Sequence, residues 1–269
     1  GITIMGKTHF GVCCVCGKER KLTFEHIPPK KANNNTQVKN ILHPLEFFES
    51  EKAFNEKIKE IEFRLGSQKG MGDYTLCSSC NSFLGGSYVN EFIPFYNGLA
   101  LFFKKNYQEI IDNSENGYLD IRIQANTNFF RFQKQVVAML MSASKGIYKD
   151  YFKDYLLDES NSNFPSKNFK IIMNGYLDFK LSRQNGLMVG LDLSGGSASI
   201  GSEIQVFPLG FTLVKLENSD KEETIDTGLD ITNWSKLDDC PQKLEFSLRT
   251  YINAQPFPYY ITGVTPPRF

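Results

Sequence analysis

"CCVCG" at residues 13–17 and "LCSSCN" at residues 76–81 each contain two cysteines with two residues between them. Each C-x-x-C pair can present two thiolates from a tight turn, and two such pairs complete the tetrahedral sulfur shell that zinc prefers. Gly17 suits such a turn, because a backbone that bends around a metal often needs a positive φ angle. The spacing therefore predicts that four cysteines bind one zinc ion: Cys13, Cys16, Cys77 and Cys80. The alternative interpretation is a set of buried free cysteines.

The predicted zinc ion has a structural role. Four thiolates leave no open coordination position for water, so this ion would stabilise the fold rather than perform chemistry. Cys14 adjoins a ligand and Cys240 precedes Pro241, and the zinc shell needs neither of them. Any chemistry must come from residues that the zinc ion holds in place.

An acid and a base stand side by side between the two cysteine pairs, in "LTFEHIPPK" at residues 22–30. Glu25 and His26 end a short run that favours a β-strand, and Pro28 and Pro29 then prevent its regular continuation. The prolines would also hold the Glu25-His26 pair rigidly at the strand end.

These residues resemble the zinc-stapled branch of the HNH endonucleases. The resemblance covers roughly residues 10–90 and rests on three features: the C-x-x-C-G turn, the strand that ends in Glu-His-Ile-Pro-Pro, and the later Leu-Cys-x-x-Cys-Asn. It implies a ββα-metal module, in which two strands and a helix hold one divalent cation while zinc joins the strands to the helix. Glu25 stands where the family more often has Asp or His.

The resemblance also implies roles for individual residues. Glu25 and Asn81 would bind a catalytic Mg²⁺ or Mn²⁺ ion through oxygen atoms, which such hard cations prefer. His26 would be the general base, since a neutral imidazole accepts a proton from water near neutral pH. Asn40 would orient the loop or His26, and His43 competes with it for this role.

The implied activity is metal-dependent hydrolysis of phosphodiester bonds in DNA, with RNA left open as a substrate. One such site cuts one strand, so cleavage of a duplex would need a homodimer or two successive nicks. By analogy, the resemblance points to bacterial or phage systems such as restriction and antiviral defence. The alternative function is a non-catalytic zinc module that binds nucleic acid or protein.

The charge of the chain is balanced overall but not locally. Thirty basic and thirty acidic residues cancel, so there is no general attraction to nucleic acid or to an anionic membrane. Residues 1–40 nevertheless contain seven basic and two acidic residues, which predicts a local surface for phosphate groups. The alternative is a solvated charged loop. Further cations in the second half could contact a nucleic-acid backbone or simply face solvent: Arg122, Arg131, Lys134 and Lys145.

Hydropathy and patterning predict the organisation of the chain. No segment approaches the ~18 consecutive apolar residues of a membrane span, and the start lacks a signal-peptide pattern, so we expect a cytoplasmic protein without membrane contact. The fold class is predicted as α+β. An HNH-like module would occupy residues 1–110, with a helical insert at about 45–75, and a mixed α+β domain would occupy residues 111–269. Within these parts, apolar spacing predicts a helix from about Val89 to Tyr107 and strands in the second part.

Overall fold

The computed structural model describes residues 8–32, 71–179, 182–192, 197–216 and 227–252. Within these residues the protein has the predicted α+β character, with two sheets and several helices. The predicted insert at about 45–75 lies mostly outside the described residues, and its last part belongs to a strand instead. Among the described helices, none is both long enough and apolar enough to cross a membrane.

The first sheet has three antiparallel strands in the order β1-β2-β3. Their bounds are Phe10–Val12 for β1, Glu19–His26 for β2 and Gly72–Cys77 for β3. Helix α1 (Ser78–Ser87) begins directly after β3. The register pairs Leu22 with Cys77 and Glu25 with Asp73, so residues about fifty positions apart in the sequence become neighbours. This sheet, the turn between β1 and β2, and α1 carry the described residues of the predicted zinc and catalytic sites.

Four more helices follow: α2 (Val89–Lys105), α3 (Tyr107–Asp112), α4 (Phe129–Ala143) and α5 (Lys149–Leu157). The helix predicted from about Val89 is thus confirmed as α2. Fourteen of the fifteen residues of α4 are buried, which is typical of a helix at the centre of a core. The predicted division between residues 110 and 111 stays a prediction, and it falls inside α3.

The second sheet has seven strands and runs in the order β4-β10-β5-β8-β7-β6, with β9 paired to β5. All pairs are antiparallel except β10 with β5, which are parallel. The bounds are Tyr118–Thr127 for β4, Phe169–Tyr176 for β5, Arg183–Asp192 for β6, Ser197–Val206 for β7, Leu209–Lys215 for β8, Leu229–Asp230 for β9 and Gln242–Tyr251 for β10. The apolar run at residues 202–216 belongs to both β7 and β8, because the chain turns at Phe207 and Pro208.

Both halves of the chain contribute side chains to one hydrophobic core. Phe92 of α2 stacks on Phe132 of α4 with ring centroids 5.1 Å apart, and Phe132 also contacts Phe211 of β8. Buried residues from the first sheet, such as Leu76, belong to the same core. The core therefore fixes the end of α4 relative to the first sheet.

Lys134 on α4 is buried, so it cannot contact a nucleic-acid backbone as the sequence allowed. Its ammonium donates hydrogen bonds to the carbonyl oxygens of Tyr155 at 2.6 Å and Asp158 at 2.8 Å, and these carbonyls lie at the end of α5. Arg131 forms ion pairs within the chain, with Asp239 at 2.6 Å and Glu159 at 3.1 Å. These two cations stabilise the fold around α4.

Candidate metal centre

The four predicted zinc ligands lie together. The sulfur atoms of Cys13, Cys16, Cys77 and Cys80 are all within 4.8 Å of one another. The sulfur atoms of Cys16 and Cys77 are 3.9 Å apart. Zinc–sulfur bonds of ~2.3 Å in a tetrahedron place the sulfurs ~3.8 Å apart, so the spacing of the cluster is close to that of a zinc site.

The turn that presents Cys13 and Cys16 is held by its own backbone. The amide of Gly17 donates to the carbonyl of Cys13 at 3.0 Å, and the amide of Cys13 donates to the carbonyl of Lys18 at 3.0 Å. Gly17 has a φ of 71°, in the left-handed region where a glycine has no Cβ penalty. Across the site, the amide of Cys77 donates to the sulfur of Cys13 at 3.4 Å. The cluster therefore joins the turn after β1 to the junction of β3 and α1.

The thiols of the cluster share their protons unequally. The thiol of Cys80 donates a hydrogen bond to the sulfur of Cys13, and this bond lowers the pKa of Cys13 to about 4. The same bond, together with burial, raises the pKa of Cys80. A zinc ion would favour the thiolate form of all four sulfurs and release their protons.

The other two cysteines lie outside this cluster, as predicted. Cys14 is buried, and burial raises the pKa of its thiol to about 11. Cys240 is exposed. Neither sulfur belongs to the group of atoms that could hold the metal.

Glu25 stands near the end of β2 and faces the same side of the strand as Thr23, because side chains alternate along a strand. The hydroxyl of Thr23 donates to the carbonyl of Leu76 at 2.9 Å and accepts a hydrogen bond from the side-chain amide of Asn81 at 2.9 Å. Asn81, on the first turn of α1, therefore lies over β2 two residues from Glu25. The hydrogen bond uses the amide nitrogen of Asn81 and leaves its carbonyl oxygen as the atom able to bind a cation.

The carboxyl group of Glu25 is half-buried, and burial raises its pKa to about 7. A nearby dication favours the ionised form of a carboxylate, so metal binding would oppose this shift. Directly across the sheet, Glu25 is paired with Asp73. Two carboxylates thus project from one face of the sheet, and the amide of Asn81 lies near the same face.

His26 follows Glu25 but turns to the other face of β2. Its ring meets Phe24 edge-on, with centroids 5.0 Å apart. Phe24 in turn meets Tyr74, and His9 stacks on Tyr74 with ring centroids 3.6 Å apart. The structure therefore brings Glu25 and Asn81 towards one face and places His26 among aromatic rings at the end of the same strand. Asn40 and its competitor His43 lie outside the described residues.

Five residues of the predicted basic surface lie within the described part of the chain. All of them are exposed: Lys18, Arg20, Lys21, Lys30 and Lys31. Lys7 and Lys39 lie outside the described residues. A pocket of 220 Å³ adjoins the cysteine cluster, and Lys18, Arg20 and Ser79 contribute to its lining. Cationic groups therefore stand next to the metal centre.

Sequence reasoning did not place three residues near Glu25: Thr23, Asp73 and Lys145, the last of which it named only as a possible nucleic-acid contact in the second half. Thr23 could have been found from its position two residues before Glu25 on the same face. Asp73 and Lys145 could not, because only the strand register and the packing of α4 bring them to this edge. No protein-family model, curated protein or solved structure matches this chain.

Proposed function

We propose that this chain is a metal-dependent endonuclease of the HNH type that hydrolyses phosphodiester bonds in DNA. The observation that carries the proposal is the hydrogen bond from Asn81 to Thr23, which holds Asn81 over the face of β2 that carries Glu25, near a four-cysteine cluster. An oxygen-donor pair at the junction of two strands and a helix is the arrangement expected for a hard divalent cation.

Each residue of the proposed site would have a separate role in hydrolysis. Glu25 and Asn81 would hold Mg²⁺ or Mn²⁺, which would supply positive charge next to the scissile phosphate. His26 would take the proton from the attacking water, since an imidazole titrates near neutral pH. Asn40 would orient the loop or His26. The cysteine cluster would keep β3 and α1 in register with the turn after β1.

The deciding experiment removes the proposed base and leaves the metal centre intact. We expect His26→Ala to retain zinc and DNA affinity but to lose cleavage of plasmid DNA in Mg²⁺ or Mn²⁺. His9→Ala is the matched control, because His9 belongs to the same aromatic group without a catalytic role. Cleavage by His26→Ala at the wild-type rate would show that the proposed mechanism is wrong.

The same plasmid assay also tests how many sites act together. Nicked circles before linear product would indicate that single sites act alone, and direct linearisation would indicate a homodimer.

The exposed Lys18 and Arg20 beside the cysteine cluster support a second candidate function, a zinc module that binds nucleic acid without cutting it. Such a module needs the cysteines and the cations but not the Glu25-His26 pair. Tight DNA binding by the zinc-loaded protein, with no turnover in any divalent cation, would favour this function.

A further inference from the structure

The corner that follows α4 has an unusual backbone. Lys145 and Gly146 have φ angles of 53° and 72°, so both are in the left-handed region. Glycine adopts this conformation freely, but a lysine pays a steric cost there. Left-handed residues commonly end a helix, and here the amide of Lys145 closes α4 by donating to the carbonyl of Ser142 at 3.2 Å.

This corner is packed against the turn of the metal centre. A Cβ atom on Gly146 would lie 2.9 Å from the Cα atom of Cys14 and 3.1 Å from its carbonyl oxygen. The amide of Gly146 also donates to the carbonyl of Met141 at 2.9 Å, which ties the corner to α4. The backbone of Lys145 is thus fixed relative to the cysteine cluster.

The side chain of Lys145 reaches the edge that carries Glu25. Its ammonium forms an ion pair with the carboxylate of Asp73. Asp73 is the direct cross-strand partner of Glu25, and such partners have Cβ atoms ~5 Å apart on one face of a sheet. The register therefore places the ion pair of Lys145 and Asp73 at the edge of the sheet that carries Glu25.

The ion pair between Lys145 and Asp73 is accessible to solvent. Both side chains are partly exposed, at 41% for Lys145 and 46% for Asp73, and ion pairs of this kind contribute little to stability. An ammonium has three N–H donors, so one group can contact Asp73 and a phosphate oxygen together. A phosphodiester is the anion that the proposed reaction brings to this edge.

We propose that Lys145 contacts the phosphate group of the bound nucleic acid next to Glu25, with Asp73 holding its ammonium in place; this inference rests on the proposed function. The second half of the chain thereby supplies a substrate-binding cation to a site formed otherwise by the first half. The hydrogen-bonded end of α4 fixes the point from which this side chain starts.

The test compares Lys145→Gln and Lys145→Gly with the wild type in two assays. One assay measures plasmid cleavage in Mg²⁺, and the other measures the salt dependence of binding to a DNA duplex without added divalent cation. We expect both variants to cut at least about tenfold more slowly, the order of one lost charge-assisted contact. We also expect the slope of log affinity against log salt to decrease by about one.

Two controls separate this role from folding. Lys149→Gln removes a cation that lies against Gly17 of the same turn, and it should leave the cleavage rate and the salt slope unchanged. Lys145→Gly should keep its zinc and gain thermal stability, because glycine relieves the left-handed strain, while cleavage still falls. Lys145→Arg should restore most of the rate.

The outcomes distinguish this inference from the proposed function. If the wild type cuts DNA and Lys145→Gln cuts equally fast with an unchanged salt slope, the role of Lys145 is wrong and the nuclease stands. If the wild type binds DNA without cutting it, a smaller slope for Lys145→Gln still supports the contact and an equal slope overturns it. A zinc-loaded wild type that neither binds nor cuts DNA overturns both.

Discussion

The side-chain amide of Asn81 donates a hydrogen bond to the hydroxyl of Thr23 across 2.9 Å. The same hydroxyl donates to the carbonyl of Leu76, so one group links α1, β2 and β3. This link holds Asn81 over β2, and it can be removed without altering either proposed metal ligand.

Thr23→Val should therefore weaken the divalent-cation site indirectly. Valine has nearly the same shape but cannot bond Asn81 or Leu76, and we expect a loss of about 1–2 kcal/mol in the free energy of unfolding. Cleavage should also need a higher Mg²⁺ concentration, because Asn81 is no longer held. Thr23→Ser keeps the hydroxyl and should behave like the wild type in both urea denaturation and Mg²⁺ titration. An unchanged Mg²⁺ requirement in Thr23→Val would mean that the link does not position Asn81.

The cysteine cluster predicts about one zinc ion per chain, measurable by elemental analysis of the purified protein. Cys77→Ser should lose this zinc and melt at a much lower temperature, because structural zinc binding is coupled to folding. Cys240→Ser changes an exposed cysteine outside the cluster and should leave both zinc content and melting temperature unchanged. A wild-type protein that is stable and free of zinc would remove the basis of the structural metal site.

The raised pKa of Glu25 predicts a pH dependence with a definite sign. The folded protein retains the proton up to a pKa of about 7, whereas the unfolded chain loses it near the ordinary value of 4.5. The folded state therefore binds more protons between these values, and the contribution of Glu25 to stability falls as pH rises from about 4.5 to 7. Glu25→Gln should lack this decrease. The difference in free energy of unfolding between the wild type and the variant should therefore fall as pH rises through this range.

Added Mg²⁺ should stabilise the folded protein only at pH values at which Glu25 is ionised. At pH 8 the cation would raise the melting temperature of the wild type but not that of Glu25→Gln, and at pH 5.5 it would have a smaller effect on the wild type. Equal responses of the two proteins to Mg²⁺ at pH 8 would show that Glu25 is not a ligand.

Two glycines offer a matched test of the contact between α4 and the metal centre. Gly146→Ala should lower the free energy of unfolding by about 1–2 kcal/mol, because its φ is positive and its Cβ would meet the backbone of Cys14. Gly98→Ala changes a glycine within α2 whose Cβ would meet no atom within 4 Å. It should raise the free energy of unfolding by about 0.5–1 kcal/mol, since alanine is the better helix residue. Similar changes in the free energy of unfolding for both variants, measured by urea denaturation, would show that Gly146 is not tightly packed against the turn of the metal centre.

The sequence alone determined the features that depend on short spacing. Two residues between paired cysteines, with Gly17 after the first pair, were enough to predict a cluster that the structure confirms. Apolar periodicity likewise predicted helix α2, and alternation predicted strands in the second part of the chain. These signals are local, because a turn, a helical face or a strand face is set by residues within a few positions of one another.

Only the tertiary structure decided which distant side chains meet around Glu25. The pairing of Glu25 with Asp73 depends on the register of two strands that lie far apart in the chain, and the contact of Lys145 with Asp73 depends on how α4 packs against the first sheet. The burial of Lys134 follows from the same packing, since nothing in its neighbouring residues shows that all sides of α4 are covered. The physical reason is that register and burial are set by the whole core, and a short stretch of sequence does not specify them.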